Sequence, residues 1–363
     1  MENKKNFMAQ IKNIYKFLRR KKILITGHSG FKGSWLALWL IKIGCNVVGI
    51  SKIDRKKKSN FYNFKFQQKM KNYFFNIQDY KKLKRILLKE KPDIIFHLAA
   101  QAIVSESYNK PIDTIQSNTL GSLNVLHGAS FLKKKCICVM ITSDKCYYNL
   151  EKNNGYREES RLGGKDMYSG SKAAAEILIN SYFHSFDKKN KLLFCTARAG
   201  NVIGGGDWSM DRLVPDIMKA RQSKRSVVIK NSQSIRPWQH VFEPLYGYLK
   251  AAYYLSLNKG LNGESFNFGP NSKKSYKVVE LLKNLNNKDS KFVIKKKKNS
   301  FKETKILKLN SKKAFKKLKW RTRLSFKETS ILINGWYNNF FSKHSNIYDY
   351  SINQINFYEK KIK

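Results

Sequence analysis

Five side chains close together in the chain have the makings of an oxidation and elimination site. Ser143, Asp144 and Lys145 lie in Ile141-Thr142-Ser143-Asp144-Lys145-Cys146-Tyr147, and Tyr168 and Lys172 close the run Tyr168-Ser169-Gly170-Ser171-Lys172. Tyr168 and Lys172 are four apart, so on a helix they share one face and one turn. An ammonium beside a phenol lowers the phenol's pKa from its ordinary ~10, giving a base that can take a hydroxyl proton while hydride leaves the same carbon. The Asp144 carboxyl adds an acid for a departing hydroxyl. Each residue also has a plainer role: Ser143 as a strand-end cap, Asp144 as an acceptor for backbone N–H groups, Lys145 as a phosphate contact.

Upstream stands a loop of the kind that cradles phosphates, Gly27-His28-Ser29-Gly30-Phe31-Lys32-Gly33. It follows the apolar run Ile23–Thr26 and opens a stretch, Phe31 to Ile43, whose apolar residues recur at helical spacing until Gly44. In that setting the backbone of Gly27, Ser29, Gly30, Phe31 and Gly33 can approach a pyrophosphate, the helix N-terminus adds a favourable partial charge, and Lys32 can reach the same phosphates. The plainer reading is a tight strand-to-helix turn without a ligand. Where an acidic residue usually ends the second strand and binds ribose hydroxyls, this chain has Ser51-Lys52, with Asp54 beyond. That position leaves NAD and NADP both open. Asn76 follows the third strand candidate and is placed to approach adenine; Asp79 suits either that role or a helix cap.

These residues need a scaffold. Strand candidates at Ile23–Thr26, Asn46–Ile50, Tyr73–Phe75, Asp93–His97, Cys136–Thr142 and Leu192–Arg198 alternate with helical patterns near Tyr80–Leu88, Ile112–Leu132 and Tyr168–Phe186. This alternation predicts an α/β protein with a Rossmann-type, doubly wound parallel sheet. After Arg198 the alternation decays, and Gly204-Gly205-Gly206, Arg236-Pro237-Trp238 and Phe268-Gly269-Pro270 punctuate shorter elements, which predicts a smaller C-terminal α/β lobe. The expected organisation is an N-terminal basic arm over 1–20, a dinucleotide-binding domain over 21–200 with a return segment at 236–258, and a substrate lobe built from 201–235 and 259–363.

With 363 residues, 42% of them hydrophobic, the chain can bury a sizeable core in one or two domains. A formal net charge of +47 ordinarily suggests nucleic acid or an anionic membrane. Here lysine is spread through almost every segment beside many Asn, Ile, Phe and Tyr. A solvated lysine surface with no specific nucleic-acid partner accounts for that pattern, and Lys295-Lys296-Lys297-Lys298 is expected as exposed loop. Cys45, Cys136, Cys138, Cys146 and Cys195 are odd in number and lack paired CxxC spacing or a His cluster, so buried free thiols in a reducing cytosol are expected and no metal site. No signal-peptide pattern and no spanning run of roughly eighteen apolar residues is found, which predicts a soluble, cytoplasmic protein without a membrane partner. Ile11, Ile14, Tyr15 and Leu18 recur at helical spacing among basic residues; a helix docked on its own domain is favoured over one lying on a membrane surface.

The Tyr168/Lys172 pair, the glycine loop and the strand ending at Ser143 together resemble the extended short-chain dehydrogenase/reductase family, over essentially the whole chain after the arm. Finer runs fall in the order of that family's nucleotide-sugar 4,6-dehydratases: Thr26-Gly27-His28-Ser29-Gly30-Phe31-Lys32-Gly33-Ser34-Trp35-Leu36, His97-Leu98-Ala99-Ala100-Gln101, Arg198-Ala199-Gly200-Asn201-Val202-Ile203-Gly204-Gly205-Gly206-Asp207-Trp208 and Ile235-Arg236-Pro237-Trp238-Gln239-His240-Val241. Asp144-Lys145 is similar to the branch acting on CDP-glucose; the dTDP-glucose and GDP-mannose branches carry Asp-Glu there.

The resemblance implies tightly held NAD, bound by the loop together with Asn76, Leu98, Ala99, Ala100, Tyr168 and Lys172. It implies CDP-glucose as substrate, with Tyr168, supported by Lys172 and Ser143, taking the C4 hydroxyl proton and Asp144 protonating the departing C6 hydroxyl. Lys145 is assigned the C5 proton because it stands where the related branches carry Glu. Gln101, Asn201, Arg212 and Arg236 are the substrate-contact candidates, since guanidinium forks match phosphate oxygens. Trp238 and His240 suit packing as well as nucleotide contact. A homodimer or dimer of dimers through Ile112–Leu132 and Tyr168–Phe186 is the family expectation. An epimerase needs no acid for C6 departure, so Asp144-Lys145 counts against that rival, and a non-catalytic regulator would be expected to have lost the Tyr168/Lys172 pair.

Overall fold

The computed structural model describes residues 2–52, 59–186, 191–229, 232–270, 275–285, 292–294, 306–342 and 346–362. Asp54 and Lys295–Lys298 lie outside the described residues.

Seven strands form one parallel sheet: β1 Lys22–Thr26, β2 Asn46–Ser51, β3 Lys71–Phe74, β4 Ile94–His97, β5 Cys136–Ile141, β6 Leu192–Ala199 and β7 Ser265–Phe268. Their spatial order is β7-β6-β5-β4-β1-β2-β3. A strand covered on both faces can be apolar throughout, and β5 is buried at every position. Its alternate residues feed different cores: Ile137, Val139 and Ile141 join Trp35, Trp39 and Phe242 on one face. Cys136, Cys138 and Met140 join Leu83, Leu126 and Phe194 on the other. The order reverses between β1 and β4, which opens the crevice at the carboxyl ends where the candidate residues sit.

The helix over Phe31–Ile43 is as expected, closed by Gly44 in the left-handed region. The expected helix over Ile112–Leu132 is instead Pro111–Ile115, a π turn Gln116–Leu120, and Gly121–Ser130. The wide turn gives buried Asn118 its side-chain partners, and π turns of this kind concentrate at functional sites. β7 goes beyond the expected strands: it has only four residues, and Ser265 and Asn267 interrupt its apolar pattern because they serve a buried polar network.

Helix Glu2–Leu18 docks on the domain, with Ile11, Ile14 and Leu18 buried and Tyr15 hydrogen-bonded to Trp39 and Glu359. Helix Phe242–Leu257 packs on β5 and β6. All five cysteines are free thiols, four of them buried. No described helix is long and apolar enough to cross a membrane, and no group of three or more His, Cys, Asp or Glu among the described residues could hold a metal ion.

Candidate active site

The glycine loop is shaped by contacts that exclude side chains. Gly27 has φ 78°, and a β-carbon there would meet the Ala99 nitrogen at 2.7 Å. One on Gly33 would lie 2.1 Å from the Gly27 oxygen. Gly30 caps the following helix without a side-chain hydrogen bond, and the first turn carries no acidic residue. The leading N–H groups are thus offered to a ligand, as a pyrophosphate requires. Ser51, at the ribose position, accepts a hydrogen bond from the Ser29 N–H at 3.2 Å. Asn76 accepts from Gln78 N–H at 3.2 Å, and Asp79 caps helix Tyr80–Glu90 by accepting from Lys82 N–H at 3.0 Å. The geometry fits a dinucleotide along the loop.

The end of β4 is tied to the helix Met167–Phe186, which carries Tyr168 and Lys172, by buried hydrogen bonds. Thr26 Oγ1 lies 2.7 Å from His97 Nδ1 and accepts from Ala99 N–H at 3.2 Å. Asn118 accepts from Gln101 N–H at 2.8 Å and donates to the Gln101 carbonyl at 3.0 Å and to Ser171 Oγ at 2.9 Å. Ser171 sits between Tyr168 and Lys172. The stretch carrying Leu98, Ala99, Ala100 and Gln101 is therefore fixed relative to the Tyr-Lys pair.

Ser143 caps a short 3-10 turn, Asp144–Cys146, by accepting from Lys145 N–H at 3.2 Å. Its hydroxyl also donates to Asp144 Oδ1 at 3.0 Å. Burial raises the Tyr168 pKa, opposed by the nearby Ser143 hydroxyl and the charge of Arg212. This corrects the expectation of a phenol below its ordinary value: the helix puts Lys172 one turn away, and removing water from the phenol outweighs the charges around it. Lys172 is itself buried and is pushed down to about 8 by desolvation, against the pull of Glu176. Burial, with the charges of Lys172 and Arg212, takes Lys32 down to about 7, while Asp144 opposes that shift. Lys32, Asp144, Tyr168, Lys172 and Arg212 thus share one electrostatic neighbourhood.

The remaining candidates are distributed unevenly. Asn201, at φ 52°, donates to Asp144 Oδ2 at 3.4 Å. The Gln101 amide donates to the Ile103 carbonyl at 2.9 Å and Thr114 Oγ1 at 3.0 Å, so it braces its own loop. Arg212 pairs with Asp207 at 3.2 Å and donates to the Ala102 carbonyl at 3.3 Å, bridging the cleft. Arg236 is carried on a separate two-residue strand and donates to the Ile235 carbonyl at 2.9 Å. Trp238 stacks on Phe326, and His240 is buried against Phe242. Sequence reading passed over Asn118, Ser171 and Glu176. Their signal was polar residues on the inward side of otherwise apolar helical patterns, with Glu176 four after Lys172.

A dinucleotide loop, a Tyr-Lys pair and a carboxyl on the adjacent turn define an enzyme of the extended short-chain dehydrogenase/reductase class. The model of the family described as GDP-mannose 4,6 dehydratase matches residues 24–331, and the chain belongs to that family. It is 40% identical over 271 residues to a CDP-glucose 4,6-dehydratase of Salmonella typhimurium, covering 73% of this chain and 75% of that one. Among solved structures, it is similar to an epimerase of Methanothermobacter thermautotrophicus, with a TM-score of 0.79 and 22% identity over 92% of this chain and 97% of that one. A dTDP-glucose 4,6-dehydratase of Streptomyces venezuelae with NAD bound gives a TM-score of 0.71 and 19% identity over 87% and 96% of the two chains.

Proposed function

We propose that the protein converts CDP-glucose to CDP-4-dehydro-6-deoxyglucose by 4,6-dehydration, with NAD as its resident coenzyme. The observation that carries this reading is the Ser143 hydroxyl, which donates to the Asp144 carboxyl at 3.0 Å and acts on the Tyr168 phenol to lower its pKa. A base for oxidation and an acid for elimination then stand on one wall, as a substrate oxidised at C4 and dehydrated across C5–C6 needs. When bound, NAD supplies the hydride acceptor for the first step and the donor for the last.

Tyr168, a neutral phenol at rest, takes the C4 hydroxyl proton in its ionised form, which the Lys172 ammonium favours, with Ser143 orienting the hydroxyl. The C4 ketone acidifies C5, Lys145 Nζ removes that proton, and Asp144 delivers a proton to the leaving C6 hydroxyl. Asn201 and Ser143 hold the Asp144 carboxyl in place. Arg212, at the cleft mouth, is assigned to the substrate pyrophosphate, and Arg236 and Gln101 to further substrate contacts. Gly27, Ser29, Gly30, Phe31, Lys32 and Gly33, with Asn76 and the 98–100 stretch, hold the coenzyme. Residues 21–200 with 236–258 and the sheet strand β7 are assigned to the dinucleotide domain, and 201–235 with the rest of 259–363 to the sugar lobe.

The protein is assigned to the cytoplasm as a homodimer. Exposed Ile112, Leu120, Met167, Ile177 and Phe186 on the two interface helices support that pairing. Nucleic acid is not a specific partner, so any binding to DNA should be lost by about 0.2 M salt.

Purified protein with CDP-glucose should yield a 4-keto-6-deoxy sugar, identified by NMR, with no net NADH. NADH accumulating in step with product, or inversion at C4 without dehydration, overturns the reading. Lys145→Ala should still reduce bound coenzyme yet exchange no C5 hydrogen with deuterated water.

A further inference from the structure

Beneath the catalytic turn lies a buried ion pair for which the reaction as described has no use. Glu176 and Arg198 are both almost fully buried and meet at 2.7 Å. The Glu176 carboxylate also accepts from Thr142 Oγ1, from Thr196 Oγ1 at 2.8 Å and from Ser265 Oγ at 3.4 Å. Arg198 donates to Tyr147 Oη at 2.7 Å and the Glu158 carbonyl at 2.8 Å, and Tyr147 donates to Asn267 at 2.8 Å. The pair therefore grips the chain immediately before Ser143, at Thr142, and immediately after Cys146, at Tyr147. An isolated buried charge is costly, and a pair this fully hydrogen-bonded is what keeps both ions charged.

Glu176 also stands one helical turn after Lys172, on the same face. The groups facing Lys172 are Tyr168 and Glu176 on its own helix, Cys146 on the catalytic turn, His97 at the end of β4 and Lys32 on the glycine-loop helix. Burial holds the Cys146 thiol well above its ordinary range and drives His97 down to about 3, so both are neutral near pH 7. In the resting protein Tyr168 is a neutral phenol, its pKa raised by burial, and Lys32 bears the wrong sign. Among these groups only Glu176 offers a negative charge. Arg198, on the far side of Glu176, is not among the groups that act on Lys172.

We propose that Glu176 is a positioning residue of the reaction: from one turn away its carboxylate keeps Lys172 an ammonium, and through Thr142 it fixes the entry to the Ser143–Cys146 turn, with Arg198 as the counter-ion that lets it remain charged. Its activity readout rests on the dehydratase reading; its direct readout does not.

E176Q alone strands the Arg198 charge in the core and is expected to fold poorly. The informative variant is E176Q/R198Q, which removes both charges together and leaves a polar side chain at each position, shorter by two heavy atoms at 198. Lys172 is followed directly by NMR of isotope-labelled lysine side chains, its signal assigned by its loss in K172R. In the double variant its titration midpoint should fall by ~1 pH unit, the size expected for losing one nearby opposite charge. The alkaline limb of kcat on CDP-glucose should move by the same amount, with KM within about twofold. A Lys172 midpoint and kcat limb equal to wild type in a folded double variant overturn the proposal and leave the pair structural. Wild-type protein that fails to dehydrate CDP-glucose sinks the functional reading, while the NMR titration still decides this one.

Discussion

The glycine loop and the Ser143–Cys146 turn hang from strands on either side of β4, yet they are held by opposite means. The loop is fixed by its own backbone: Gly27 N–H donates to the Ile50 carbonyl at 2.7 Å, Gly30 N–H to the Gly27 carbonyl at 3.1 Å, and the glycines make room for each other. The turn is fixed by side chains arriving from β6, β7, the Met167–Phe186 helix and the Gly200–Asn201 loop. A site that binds a constant group can be built from local geometry. A site that must aim an acid and a base at different atoms needs parts from distant segments, because no short stretch can point side chains in that many directions.

Breaking the loop should have the largest effect. In Gly33→Ala the new methyl meets backbone on three sides, the Gly27 oxygen and carbonyl carbon and the His28 α-carbon, none of which can swing away. Coenzyme binding should be abolished, and stability should fall by about 1–3 kcal/mol or more, as overpacking does. Coenzyme titration and thermal unfolding check this. A variant that binds coenzyme normally would mean that the loop is looser than its contacts imply.

Gly200→Ala is the matching test of the turn. Its β-carbon would lie 1.8 Å from Asp144 Oδ2, the end of a flexible side chain, so the carboxyl moves and the fold survives. In the proposed mechanism oxidation at C4 depends on Tyr168, so it should persist as enzyme-bound NADH absorbance. Elimination should slow by about 10²-fold, the cost of displacing a catalytic group by an ångström. Equal loss of both steps would show that the turn fails as a unit.

The same contrast explains what could be read in advance. The loop, its helix, five of the seven strands within a residue or so, and the Tyr168/Lys172 pair have local signatures, glycine spacing or apolar periodicity, and all were legible. The π turn at Gln116–Leu120 was not, because its cause is Asn118 reaching Gln101 and Ser171, contacts that exist only after folding. β7 was missed because Ser265 and Asn267 look like loop residues until the partners in β6 and the Tyr156 loop are in place. Arg198 and Glu176 were legible as residues but not as a pair. Arg236 and Gln101 show the converse: a donor of the right chemistry was easy to nominate from the chain, yet the Arg236 guanidinium donates to the Ile235 carbonyl and the Gln101 amide to the Ile103 carbonyl and Thr114.

The effect least tied to catalysis, acid sensitivity, sharpens the comparison because buried histidines lie in both halves of the molecule. His97 joins the loop side, its ring nitrogens 2.7 Å from Thr26 Oγ1 and 3.0 Å from Ser122 Oγ. His240 lies buried in the C-terminal part beside Phe242. Desolvation takes both down to about 3. The ordinary histidine value is near 6.5, so as pH falls below it the unfolded chain gains protons that the folded one refuses. Stability is therefore complete above pH ~6.5 and is lost progressively as pH falls toward 3, by about 2 kcal/mol per histidine at pH 5. The urea midpoint should drop steadily over that range. His240→Asn should flatten the slope with little change in coenzyme affinity, whereas His97→Asn should flatten it and also weaken coenzyme binding, because Thr26 and the Ala99 backbone lose their brace. Equal coenzyme affinity in the two variants would mean that the loop needs nothing beyond its own backbone, and the contrast between the two regions would be sharper still.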